Sequence, residues 1–110
     1  KAIQLTAEAI DEFSNQVADS ETDKQITRSI LYESLQLLII SSDQDITIET
    51  NSGSAADDTL TITADKPLVW YSGCGLANPL TADVTDLFIT NASGSTATVK
   101  IVVAQNVTAA

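Results

Sequence analysis

Asp43 and Asp45, Asp57 and Asp58, and Asp83 with Asp86 are the residues whose type and spacing come nearest to chemistry. All six stand in or beside segments of small polar residues that predict loops. Hard oxygen ligands gathered on loops are what calcium takes. A pair of carboxyls, one with a raised pKa in a sugar-sized cleft, is what a glycosidase uses. Neither pattern is completed here. No pair fits an EF-hand loop, none supplies a full ligand set, and aspartates in turns bond their own backbone. The six are read as solvated turn residues, and a chain of 110 residues without long loops leaves little room for a sugar cleft.

Other chemistry is thinner. Histidine is absent, which removes the commonest general base and the commonest metal ligand. Cys74 is the one cysteine, so no disulfide closes within the chain and neither a thiolate zinc site nor a Cys-His dyad can form. It stands between Gly73 and Gly75, with Lys66 the nearest basic residue in sequence, as expected of a small apolar filler rather than an activated thiolate. No enzyme activity, cofactor or metal is expected.

Contact residues are the remaining candidates. Trp70 and Tyr71 are adjacent, so on a strand one faces inward and the other outward. Trp70 reads as the core anchor and Tyr71 as the surface ring, the alternative being an outward ring at an interface or stacked on a sugar. Trp70, Tyr71, Leu76 and Phe13 are the side chains expected at an interface.

Charge narrows the partners. Five cations oppose fifteen carboxylates for a formal net charge of −10. Lys1, Lys24, Arg28, Lys66 and Lys100 are scattered singly and build no basic stripe, so nucleic acid is not expected as a partner. The longest apolar run, Leu37 to Ile40, is far short of the ~20 residues of a spanning helix, and no membrane is expected. No apolar signal-peptide centre opens the chain. With no methionine, the start of the reading frame is expected upstream of Lys1. The triplets Asn91-Ala92-Ser93 and Asn106-Val107-Thr108 match the glycosylation sequon and read as chance matches in a Ser- and Thr-rich chain.

The elements that must position these residues are strands. Hydrophobic content of 44% with 18% charged residues is that of a folded domain. Residues 45–50 and 59–64 alternate polar and apolar, the period of a half-buried strand, and predict a hairpin or two consecutive strands. Lys66–Tyr71 is a β-rich run whose Pro67 belongs at a strand start or edge. Residues 84–90 and 96–104 predict an antiparallel hairpin around Asn91–Ser95. A strand is expected at 34–41. Residues 1–33 are read as an N-terminal arm or the first strands: Ile3, Leu5 and Ala7 alternate, Ile10, Phe13 and Val17 sit at helical spacing, and 22–33 fits either helix or strand. Residues 34–110 form the core of what is expected to be one all-β domain. About seven to nine short strands with turn signals between them predict an antiparallel sandwich or barrel.

Residues 35–104 carry a resemblance. Asp43 to Asn51, Lys66-Pro67-Leu68-Val69-Trp70, Asn78 to Val84 and Ile89-Thr90-Asn91-Ala92-Ser93-Gly94 resemble small accessory proteins encoded among the virion genes of tailed bacteriophages, in which a "PLVW"-type strand and a "TNASG" turn recur. The resemblance implies a capsid decoration (cement) protein, or another small head or tail component, with a β-sandwich or jelly-roll fold. It implies a homo-oligomer, often a trimer, that clamps the major capsid protein on the capsid exterior after assembly in the host cytoplasm. It carries over no functional residue. The alternative is a carbohydrate- or surface-binding β-sandwich module from a fibre, adhesin or pilus-like subunit.

Overall fold

A computed structural model describes residues 9–106; the alternation of Ile3, Leu5 and Ala7 lies outside the described residues. Eight strands follow one another: β1 (Ala9–Val17), β2 (Glu21–Ile30), β3 (Leu35–Ser42), β4 (Ile46–Thr50), β5 (Thr59–Ile62), β6 (Leu68–Tyr71), β7 (Val84–Asn91) and β8 (Ala97–Gln105). The helical content of the described residues is one 3₁₀ turn at Tyr32–Ser34. The chain is all-β, as its alternation predicts.

The strands form two four-stranded antiparallel sheets, ordered β1-β8-β3-β6 and β2-β7-β4-β5. Four of the pairings are nested: β1 with β8, β2 with β7, β3 with β6 and β4 with β5. A single long hairpin, turning at residues 51–58, would make these four pairs. Rolling that hairpin adds the two remaining pairs, β8 with β3 and β7 with β4. Every connection except β4–β5 therefore changes sheet. This is the jelly-roll form of the sandwich, with β1 and β6 at the edges of one sheet and β2 and β5 at the edges of the other.

Alternation supplies the core. Leu38, Ile40, Ile48, Ile62, Ile89, Val99, Ile101 and Val103 point between the sheets and are almost wholly buried. Each such side chain contributes about 1.5–3 kcal/mol by leaving water. The four buried polar residues sit where strands end and are each bonded. Asn91 Nδ2 donates to the carbonyls of Val17, Ala18 and Ser95, while Gln105 accepts from Leu31 N at 2.7 Å and donates to Ser29 O at 3.0 Å. Thr50 Oγ1 accepts from Asp58 N, and Ser42 Oγ from Gln44 N. These bonds satisfy backbone groups that the sheets leave unpaired.

Three expectations are corrected. Residues 84–90 and 96–104 form strands but not a hairpin: β7 and β8 belong to different sheets, because the buried Asn91 amide gathers three carbonyls and turns the chain across the sandwich. The helical reading of Ile10, Phe13 and Val17 fails because Ile10 faces out while Phe13 and Val17 pack inward along β1. The helical alternative for 22–33 fails as well. Ile26 and Ile30 are buried in β2, and Arg28 lies between them. Arg28 closes the open side of the sandwich, its guanidinium 4.3 Å over the Phe13 ring and 3.5 Å from Asp11 of β1. A cation at an inward position is what disguised this strand.

One loop approaches a neighbouring side chain closely, so that a Cβ there would displace it. A Cβ on Gly53 would stand 2.6 Å from the Asp23 carboxylate, which shares its proton partner Thr90 Oγ1 with the bulged start of β2.

Candidate functional site

Residues directly opposite in a ladder share a face, so the register gives the outward surface of each sheet. On the β1-β8-β3-β6 sheet one row reads Ile10, Ala104, Leu37, Tyr71, and the next reads Glu12, Val102, Ile39, Val69. Glu12 is the one charged side chain in these rows, and beyond them the surface becomes polar throughout, with Ser14, Lys100 and Ser41. Ile10 is 74% exposed and Val69 46%, whereas Leu37, Ile39, Val102 and Tyr71 are half-buried. The outward positions of the four strands carry two charges, Glu12 and Lys100, which pair with each other at 3.0 Å. A contiguous apolar, locally neutral patch of this kind is the surface feature that marks a contact site.

The local sequence explains the patch. A half-buried antiparallel strand ordinarily turns polar residues to water, but Leu37-Leu38-Ile39-Ile40 and Ile101-Val102-Val103 are apolar on both faces. A bulge at Gln36 sets the register: Leu35 lies opposite Gln105 and Leu37 opposite Ala104, so Leu37 and Ile39 point outward. The Gln36 carbonyl accepts from Ser72 N and anchors the loop after β6.

The interface candidates separate on the structure. Tyr71 lies on the apolar row. Trp70 turns inward against the core, its Nε1 donating to Leu76 O at 3.0 Å. Leu76 is 70% exposed in the loop that follows β6. Phe13 is distant from these three, inward on β1 beneath Arg28. Ile10, Leu37, Ile39, Val69 and Val102 were missed. Their signal was present in the apolar runs, which on sequence alone read as strands buried on both faces.

The six loop carboxylates act as pins. Asp43 accepts from Thr98 N at 2.7 Å, Asp45 from Ala64 N at 2.8 Å, and Asp83 from Tyr32 N at 3.1 Å. Asp58 takes both Thr81 N and Thr81 Oγ1, and Asp57 takes Asn51 Nδ2. Asp86 accepts from Gln25 Nε2 and Thr27 Oγ1, and these bonds, with a weaker one from Thr85, hold its carboxyl below the usual aspartate range. The Tyr32 hydroxyl is pushed up by donating to Glu33 and by the charge beside it. Among the described residues, no three of His, Cys, Asp and Glu gather as a metal centre requires. Cys74 is partly buried in a tight turn, its N–H donating to Tyr71 O. Asn91 of the first sequon is fully buried, its amide nitrogen committed to three carbonyls, and offers nothing to a glycosyltransferase.

Two open depressions remain. One, of about 280 Å³, lies among Asp45, Thr47, Thr61, Thr90 and Ser93; the other, of about 550 Å³, among Ser41, Asp43, Asp65, Thr98 and Lys100. The polar groups lining them are hydroxyls and carboxylates with one lysine, and two of the carboxylates are already held by backbone N–H groups. Comparison with protein-family models, with curated proteins and with solved structures finds no match to this chain.

Proposed function

We propose that this chain is a non-enzymatic structural protein of a tailed-bacteriophage virion, a decoration or cement protein that binds and stabilises the lattice of the major capsid protein. The single observation that carries this reading is the apolar, locally neutral outer face of the β1-β8-β3-β6 sheet on a chain of net charge −10. A protein that works by assembly needs one surface to be covered and the rest to stay in solution. The strong negative charge elsewhere keeps free copies apart and repels packaged DNA. A chain without histidine and with one cysteine bound into a turn works through shape and contacts. The virion context comes from the resemblance of the strand and turn sequences to small phage accessory proteins.

The test is direct. Purified chain mixed with undecorated phage heads is expected to fill a saturable number of sites and to raise the temperature at which the heads open. Heads that neither bind it nor gain stability would overturn the reading.

A further inference from the structure

We infer that the apolar face of the β1-β8-β3-β6 sheet is covered by the same face of a second copy of this chain. The inference shares with the proposed function only the premise that this face is covered; it names the occupant.

Charge complementarity is the first ground. The chain carries −10, so two copies repel over most of their surfaces. The outward positions of β1, β8, β3 and β6 sum to zero, because Glu12 and Lys100 are the charges there and already neutralise one another. The opposite face is acidic instead, with Asp86 and Glu49 and no cation at the outward positions of its strands. Two copies therefore meet on the neutral face while their carboxylates point away from the contact.

Shape is the second. The neighbouring central strands differ in bulk: β3 presents Leu37 and Ile39, and directly beside them β8 presents Val102, with Ala104 of the same row buried. A two-fold axis parallel to the strands, running between β3 and β8, lays Ile39 of one copy over Val102 of the other and sets Glu12, paired with Lys100, opposite Val69. Ile10 then meets Tyr71 at both margins. The larger Ile39 falls on the smaller Val102 twice, as an isologous contact requires, with the sheets packed ~10 Å apart and their strands aligned.

Area is the third. Four strands at ~4.8 Å spacing and eight residues along β3 at ~3.4 Å make a face of roughly 500 Å². Two such faces bury about 1,000 Å², the lower limit for a specific contact, so the pair is expected to be reversible.

Sedimentation of the full chain from roughly 10 μM to 1 mM, the range in which a small interface dissociates, tests this. The expected result is a mass that rises from 11.6 kDa towards twice that value. It is expected to rise further as salt is raised, because screening relieves the repulsion between acidic copies. Ile39→Lys and, separately, Val69→Lys are expected to weaken association at least tenfold, while Phe88→Lys on the other sheet leaves it unchanged. Thermal melts of each variant establish that it is folded. A monomer throughout the range overturns the inference, as does an oligomer, a trimer included, that ignores Ile39→Lys and Val69→Lys. The outcome is separable from the function proposed: a chain that stays monomeric yet fills sites on phage heads sinks the inference alone, and one that pairs through this face yet ignores heads sinks only the virion reading.

Discussion

The outer face of the β2-β7-β4-β5 sheet shows Gln25, Thr27, Asp86, Phe88, Thr90, Thr47, Glu49, Thr59 and Thr61, while the outer face of its partner sheet shows the two apolar rows from Ile10 to Tyr71 and from Glu12 to Val69. Both sheets meet the same demand inside, where alternate side chains fill one core. Outside, they are free to differ. Threonine serves the polar face because its β-branch suits an extended backbone while its hydroxyl faces water. On the other sheet Leu, Ile and Val have the same strand preference without a hydroxyl. The difference teaches that the fold does not require the apolar surface, since the polar sheet is built equally well without one. Contact with another molecule is the role proposed for that surface.

Substitutions can break or sharpen this contrast, beginning with those that test the shared core. Leu38→Ala in one sheet and Ile48→Ala in the other are each expected to lose about 2–5 kcal/mol of stability in denaturant titrations, because both side chains are fully buried. A negligible loss at either position would mean that its sheet does not contribute to the core. Asn91→Ala strips donors from the carbonyls of Val17, Ala18 and Ser95 and is expected to cost about 1–3 kcal/mol by the same measurement. Ile39→Thr, which gives the apolar face the chemistry of the other, is expected to change stability by less than about 0.5 kcal/mol. A loss as large as that of Leu38→Ala would show that this face supports the fold itself, and the contrast would collapse.

The smallest effect concerns pH. Folding lowers the Asp86 pKa through its bonds with Gln25 and Thr27. Its contribution is therefore complete above the ordinary aspartate value and is lost as pH falls through the lowered one. Asp86→Asn is expected to flatten that part of the acid limb of the stability profile through a small loss at neutral pH, leaving stability below the lowered value nearly unchanged. Denaturation midpoints measured from neutral pH down to pH 2 check this.

Legibility along the chain follows the regularity of the side chains. From β3 onward, apolar residues alternate with Thr, Ser, Asp or further apolar ones, and the strands could be placed to within a residue or two. The first two strands were obscured by particular residues. Ile10 faces outward yet falls in helical register with Phe13 and Val17, and Arg28 occupies an inward position because it roofs the Phe13 ring. The false hairpin between β7 and β8 came from a short turn whose role is decided by a buried amide contact with β1, invisible to local pattern. The candidate face was illegible for a related reason. A strand apolar on both sides looks the same whether its second side meets another layer of the same chain or open water.

β8 lies between β1 and β3, with Val102 flanked by Glu12 on one side and Ile39 on the other. The last of the described strands in chain order is thus a central one. Until residues 97–105 have emerged, β1 has no ladder partner and β3 keeps one bare edge. Folding of this sandwich must therefore wait until residues 97–105 have been made, with the locally paired β4–β5 hairpin available earlier as its seed. A message truncated before Ala97 would release a chain prone to clump rather than a smaller working domain.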